Sequence, residues 1–129
     1  MWWEPNRIYK TNNGGYSWSV SNSGIPTYSF PYTFIFFDSN TGLVGFNHIY
    51  KTTNSGTNWF YFSGLASGYF YFVNHLRLYG LWGGNQIRVS QDNGNTWYDQ
   101  VINVNHNFKG ITFLNNDTGF IVGDIRYNA

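Results

Sequence analysis

Acidic side chains are the first candidates for catalysis, and the 129-residue sequence has only six of them. A retaining or inverting glycoside hydrolase needs two carboxylates that face one glycosidic bond. Asp38, Asp92 and Asp117 lie within sequences that read as turns, and Asp99 follows one of them. We expect Asp124 to lie in a loop ahead of a strand, where it could reach a substrate. Because a single accessible carboxylate is too few for this reaction, we predict a protein without catalytic activity. The alternative is that a second copy of the chain supplies the other carboxylate.

The sequence also lacks the motifs that are typical of metal binding and of nucleophilic catalysis. His48, His75 and His106 show none of the short spacings of zinc ligands, and the chain has no cysteine. No glycine-rich phosphate loop and no nucleophile motif occur in the sequence. We therefore expect no metal ion and no cofactor.

The charge balance narrows the range of partners. Seven Lys and Arg against six Asp and Glu give a net charge of +1, which supplies no basic stripe for nucleic acid. No segment is apolar and long enough to span a membrane, and residues 1–7 do not read as a signal peptide. The sequence is compatible with the cytoplasm and with export after removal of a leader, so localisation stays open.

The composition indicates the elements that must position any site. Aromatic residues make up 22% of the sequence, and there are 15 glycines. Aromatic side chains fit half-buried pleated surfaces, whereas Gly and Asn form tight turns. An all-β protein of short strands and short turns is therefore predicted, with no helix longer than about two turns.

An eleven-residue pattern occurs three times without gaps, at residues 8–18, 49–59 and 87–97. Its leading Ile recurs at intervals of 41, 38 and 38 residues, and the last interval ends at a partial copy that begins with Ile125. Intervals of about 40 residues are typical of a four-stranded propeller blade. Residues 1–129, taken as a single domain, thus divide into repeats at about 8–48, 49–86 and 87–124, with a partial fourth at 125–129.

Each copy of the pattern has Ser or Thr, then Asn or Asp, then Gly, then Trp at fixed positions. These residues are Thr11, Asn13, Gly15 and Trp18; Thr52, Asn54, Gly56 and Trp59; and Ser90, Asp92, Gly94 and Trp97. The Asn or Asp side chain can accept backbone N–H bonds, and the Gly can adopt a positive φ. We expect a structural turn whose Trp packs back onto its sheet, with the three tryptophans equivalent and largely buried.

The pattern Ser/Thr-x-Asp/Asn-x-Gly-x-x-Trp resembles the Asp-box, also called the BNR repeat, over residues 8–128. The surrounding residues are similar to the photosystem II stability/assembly-factor-like branch of the Asp-box β-propellers. The resemblance implies blades of four antiparallel strands, about three in the chain, with each box between the third and fourth strands. It implies innermost strands near residues 33–37, 68–72 and 110–114, and third strands beginning at Ile8, Ile49, Ile87 and Ile125.

The same resemblance weighs against catalysis. Sialidases that share the box use three arginines and a Tyr nucleophile paired with a Glu, whereas the only Glu here is Glu4. In those enzymes the boxes lie on the face opposite the active site, so the upper face is the expected ligand face. Its candidate residues are Trp3, Asn47, His48, Trp82, Asn85, Gln86 and Asp124 before third strands, and Tyr32, Tyr69 and His106 between blades.

These upper-face rings and amides suit stacking on sugars and hydrogen bonds to hydroxyl groups, although aromatic residues also form ordinary cores. The expected function is a non-catalytic recognition or scaffold module that binds a glycan or a protein. The alternative is a sialidase-like glycan hydrolase with an active site shared between subunits.

Three blades would leave two open flanks, which propellers avoid by closing. Propellers usually have about four to eight blades, and six is the only multiple of three in that range. We therefore predict a homodimer that closes one six-bladed propeller. The competing interpretation is that the chain is a piece of a longer propeller. The third strand is present both at Ile8 and at Ile125, so one of the two is redundant, and the sequence leaves open which.

Overall fold

The computed structural model of the protein describes residues 7–27, 31, 33–46, 48–63, 69–72, 77–81 and 84–125. All strand pairs in these residues are antiparallel, and none of these residues is helical. The all-β prediction is therefore confirmed for the described part of the chain. The chain divides into two compact units, Met1–Ala66 and Ser67–Ala129.

The first unit contains a two-stranded hairpin and a four-stranded sheet. The hairpin pairs β1 (Tyr9–Lys10) with β2 (Ser19–Val20). The sheet has the order β3 (Thr33–Phe36), β4 (Gly42–Gly45), β5 (Ile49–Thr52) and β6 (Phe60–Ser63). Each strand pairs with its neighbour in sequence, which is the meander order of a propeller blade.

The second unit contains a sheet of the same order and a second hairpin. The sheet consists of β7 (Tyr69–Phe72), β8 (Leu78–Leu81), β9 (Gln86–Ser90) and β10 (Tyr98–Val101). The hairpin pairs β11 (His106–Phe113) with β12 (Gly119–Ile125). The predicted innermost strands near residues 33–37, 68–72 and 110–114 overlap β3, β7 and β11.

Short Asx turns join the first two strands of the sheet in the first unit and the two strands of the second hairpin. Asp38 Oδ1 accepts the backbone N–H of Thr41 at 2.7 Å, and Asn115 Oδ1 accepts that of Thr118 at 2.8 Å. Such side-chain bonds fix the turn and hence the pairing register of the strands on either side.

The core of the first unit lies between the β1–β2 hairpin and the four-stranded sheet. Val44, Phe46 and Trp59 are each at most 4% exposed, and Ile8 and Ile25 pack against them from the hairpin side. β4 is buried along its whole length because it is a central strand covered on both faces. Burial of one such side chain contributes roughly 1.5–3 kcal/mol.

The core of the second unit lies between the four-stranded sheet and the β11–β12 hairpin. Leu81, Ile87 and Val89 of the sheet meet Phe108 and Ile111 of the hairpin. The Phe113 ring also stacks on the Tyr79 ring, with centroids 4.6 Å apart. One face of the hairpin is thus covered by its own sheet.

The prediction that Ile125 begins a third strand is wrong. Ile125 ends β12 and pairs with His106 of β11. β11 begins four residues before the predicted Gly110, because a bulge between Phe108 and Gly110 lets the pairing continue beyond that point. The longer ladder takes residues 123–125 into the second strand, and residues 126–129 lie outside the described part of the chain.

Candidate functional site

The turn between β5 and β6 is closed by its own side chains. Thr52 Oγ1 accepts the Gly56 N–H at 2.9 Å, and Asn54 Oδ1 accepts the Asn58 N–H at 2.9 Å. Gly56 has φ +80° and the preceding Ser55 has φ +57°. The loop needs two successive residues in the left-handed region, which glycine tolerates best.

The other two copies of the pattern form the same turn. The Gly15 N–H donates to Thr11 Oγ1 at 2.9 Å, and the Gly94 N–H donates to Ser90 Oγ at 2.8 Å. We call these three turns, residues 11–18, 52–59 and 90–97, the box turns. Because their hydroxyl and amide oxygens accept bonds inside the turn, these side chains hold the backbone in place.

The third box turn uses a carboxylate where the others use an amide. Asp92 accepts the Thr96 hydroxyl at 2.6 Å and the Thr96 N–H at 2.8 Å. These two bonds, the hydroxyl bond first, lower the pKa of the Asp92 carboxyl below its ordinary value. The charge on Asp92 therefore stabilises the turn.

The prediction that the three box tryptophans are equivalent and buried is wrong for two of them. Trp59 is 4% exposed, but Trp18 is 60% exposed and Trp97 is half-buried. The Trp18 and Trp97 indoles each donate to the carbonyl of the glycine three residues earlier in their own turns, at 3.1 and 2.9 Å. The Trp59 indole instead donates to the Ser21 carbonyl at 2.9 Å. Its burial comes from the segment after β2, which lies over it.

Several of the predicted upper-face residues lie outside the described residues, namely Trp3, Tyr32, Asn47 and Trp82. Tyr69 begins β7, and its side chain is likewise outside the description. Their part in ligand binding stays a prediction.

The remaining loop residues have separate surroundings within their own units. His48, in the first unit, is exposed and lies edge-on to the Tyr61 ring at 5.6 Å. In the second unit, the Asn85 amide donates to the Ile102 carbonyl at 3.0 Å, so it links two loops of the chain. Gln86, which begins β9, is exposed.

Two residues predicted in loops lie in strands instead. His106 begins β11, and Asp124 pairs with Asn107 in the β11–β12 ladder. Asp124 Oδ2 lies 3.9 Å from Lys109 Nζ, and both side chains are largely exposed. The extended ladder moves both residues out of the loops in which a substrate site was predicted.

An apolar groove of about 560 Å³ runs along the first unit, between the β1–β2 hairpin and the inner strand β3. Its walls include Ile8, Lys10 and Trp18 on one side and Phe34 and Phe36 on the other. Phe34 is 65% exposed and Phe36 is 39% exposed. The Lys10 ammonium donates to the Ser55 carbonyl at 2.8 Å, so the charge of this wall residue is engaged within the unit.

Each of the two units also has an open strand edge. Among the described strands, β1 pairs only with β2, and β12 pairs only with β11. β12 carries exposed apolar side chains, with Phe120 58% and Val122 63% exposed. An open strand edge next to exposed apolar side chains is a ready template for pairing with another chain.

Sequence reasoning did not single out Phe34, Phe36, Phe120 and Val122. The available signal was alternation, because each pair of residues is two apart and therefore lies on one face of its strand. In a chain with 22% aromatic residues, that signal does not distinguish an exposed face from a core face.

The described residues contain no group of three or more His, Asp or Glu side chains that could hold a metal ion. The part of the chain that the structure describes also has no helix with the length and apolar character needed to cross a membrane.

The fold and the turns define an all-β protein of four-stranded antiparallel meanders and two-stranded hairpins. Comparison with protein-family models gives no match, and comparison with curated proteins gives none. Among solved structures, the chain is similar to one described as YCF48 bound to D1 peptide. The two share 16% sequence identity at a TM-score of 0.40, over 91% of this chain and 69% of the other. A likeness of this size identifies neither a ligand nor a blade number for this chain.

Proposed function

We propose that this protein is a non-catalytic recognition scaffold built from propeller blades. It works as a homodimer, in which two copies close one six-bladed propeller, and the closed ring presents its upper face to a further protein partner.

The observation that carries the proposal is the complementarity of the two hairpins. The pattern that spans β5–β6 and β9–β10 also spans β1–β2, so this hairpin corresponds to the outer half of a blade. The β11–β12 hairpin has the turn chemistry of β3–β4, so it corresponds to an inner half. Two copies would then build two composite blades, in addition to the two complete sheets that each copy contains.

The exposed apolar side chains support a protein contact over a small-molecule site. Phe34, Phe36, Phe120 and Val122 are all at least 39% exposed. Apolar side chains that are exposed side by side on one strand face, as in each of these two pairs, are typical of protein–protein interfaces, because their burial supplies the main driving force of association.

A charge placed in the groove tests the homodimer. Phe34→Asp is expected to reduce the molar mass in solution from that of a dimer to that of one chain, because it would bury a carboxylate against apolar side chains. Phe60→Asp is the matched control, since Phe60 is 46% exposed on β6 and is not a groove residue. Light scattering after size exclusion measures both masses. Equal masses for the two variants would contradict the proposal.

The absence of catalysis is part of the proposal. Asp124, the one carboxylate predicted in a substrate loop, lies in β12 and is 3.9 Å from Lys109. Hydrolysis of a sialoside or a β-glycoside that is lost in Asp124→Asn would contradict the proposal and favour the shared-site hydrolase.

A protein is proposed as the upper-face partner in preference to a glycan. The Asn85 amide, one of the groups expected to bond sugar hydroxyls, donates to the Ile102 carbonyl within the chain. A glycan-array signal that is lost in Gln86→Ala would favour a lectin instead.

A further inference from the structure

The geometry points to the groove beside β1 as the binding site for the β11–β12 hairpin of a second copy, with β12 hydrogen-bonded to β1 in one defined register. This inference rests on the proposed homodimer and names the residues that would form its contact.

The register follows from the two complete sheets. In the first unit Gly42 pairs with Thr52 and Leu43 with Lys51, where Thr52 is the first residue of a box turn. In the second unit Leu78 pairs with Ser90, which is again the first residue of a box turn. The second strand therefore begins opposite the start of the box turn in both sheets.

The same rule fixes the pairing of the two hairpins. Gly119 begins β12 after the same turn that precedes Gly42, and Thr11 begins the first box turn. Gly119 of one copy then pairs with Thr11 of the other. The next pairs along the ladder are Phe120 with Lys10, and Val122 with Ile8.

The faces on which the side chains of β1 and β12 lie agree with this register. Ile8 packs against the core of the first unit, and Lys10 bonds Ser55 of the same unit, so both side chains lie on the groove side of β1. Directly paired residues lie on the same face of an antiparallel ladder. Phe120 and Val122 of the second copy would therefore enter the groove and cover Phe34 and Phe36.

The β11–β12 hairpin has one face that is buried in its own unit and one face that is exposed. Ile111 and Phe113 of β11, together with Ile121 of β12, already pack against the sheet of their own unit. Phe120 and Val122 alternate with Ile121 along β12, and they are 58% and 63% exposed. A one-residue slip would present Ile121 to the groove and remove it from its present core, so the pattern of burial disfavours other registers.

Engineered disulfides test the register, because the chain has no cysteine of its own. Lys10→Cys/Phe120→Cys places the two thiols on directly paired residues. Lys10→Cys/Val122→Cys is the matched control, in which the same first thiol faces a residue two positions further along. Tyr9→Cys/Ile121→Cys is a second paired variant that covers the neighbouring position in the ladder, where the hydrogen-bonding geometry differs.

Under mild oxidation, at least one paired variant is expected to form a covalent species of twice the 15.0 kDa chain mass. The control is expected to form more than about tenfold less, because diagonal neighbours lie about 7–8 Å apart and a disulfide needs a Cβ separation near 4 Å. Non-reducing gels and mass spectrometry measure the covalent product, and light scattering of the reduced variants checks that each one is still a dimer.

Each contrary result has a separate meaning. A dimer by light scattering in which neither paired variant exceeds the control would overturn the register and leave the homodimer standing. A single-chain mass with both thiols oxidised would show that β12 pairs with β1 of its own chain, and would overturn the inference. A single-chain mass for the unaltered protein would overturn the homodimer as well.

Discussion

Trp59 is held by a neighbouring segment as well as by its own turn. Its indole donates to the Ser21 carbonyl, its backbone N–H donates to the Ser23 carbonyl at 2.7 Å, and its ring lies edge-on to Phe36 at 6.1 Å. A single residue therefore ties the segment after β2 to the four-stranded sheet.

Truncation of Trp59 should be costly for that reason. Trp59→Ala is expected to lower the free energy of unfolding by about 3–5 kcal/mol, the usual range for a buried large aromatic residue. Tyr16→Ala is the control, because Tyr16 is 94% exposed in the first box turn and surface changes usually stay within about 0.5 kcal/mol. Chemical denaturation measures both variants. Equal stabilities would show that Trp59 is not an anchor.

Asp92 makes the stability of the third box turn depend on pH, whereas the other two box turns have an asparagine, which does not titrate, at this position. Hydrogen bonds from Thr96 lower the pKa of its carboxyl in the folded state. The charged Asp92 carboxylate therefore contributes its full stabilisation above the unfolded pKa of about 3.9, and this stabilisation is lost as the pH falls through the lower folded pKa.

Asp92→Asn should remove this dependence and keep the turn, because Asn13 and Asn54 accept the equivalent backbone N–H bonds at 3.0 and 2.9 Å. The difference in unfolding free energy between the unaltered protein and the variant is expected to be constant above about pH 5 and to shrink below about pH 4. Denaturation at a series of pH values measures the difference. A difference that stays constant down to about pH 2 would contradict the role of the Asp92 charge.

At the scale of elements, the contact of the first hairpin with the following sheet depends on a close backbone approach. Gly24 has φ +89°, and a Cβ added there would lie 1.8 Å from the Trp59 carbonyl oxygen. Glycine is therefore required at this position for both its conformation and its small size.

A pair of glycine variants separates those two requirements. Gly14→Ala introduces only left-handed strain, about 1–2 kcal/mol, because nothing lies within 4 Å of the added Cβ. Gly24→Ala adds a clash with backbone, so we expect it to lower the melting temperature clearly more than Gly14→Ala. Thermal unfolding followed by circular dichroism compares them. Similar melting temperatures would mean that the hairpin does not dock as closely as described.

The elements themselves were largely predictable, because strand and turn signals are local. The box turns repeat fixed residue types, so the strands on either side of them follow from the sequence. The bulge between Phe108 and Gly110 has no such signal, and so the length of β11 and the positions of His106 and Asp124 were missed. The unequal burial of Trp18 and Trp59 was missed for a related reason, since it depends on which segment lies over each turn.

The candidate site was harder to predict than the fold. The exposed ring of Phe34 and the buried ring of Phe46 both lie in or directly beside short strands, and the packing of neighbouring elements distinguishes them. The groove was therefore found from the structure, whereas the predicted upper-face residues Asn85 and Gln86 followed from loop position alone.

For the whole molecule, the proposed homodimer completes each chain with a second copy. Open edges on β1 and β12 and exposed apolar side chains beside them would otherwise favour uncontrolled association. Closed two-fold assembly removes both edges at once, and two-fold dimers are the commonest closed oligomers.

Sedimentation of the unaltered protein in dilute solution, over a range of concentrations, measures the molar mass that distinguishes a homodimer from a single chain. The homodimer predicts one species with twice the 15.0 kDa mass of a single chain. A stable species with the mass of one chain, persisting at the highest concentration measured, would contradict it.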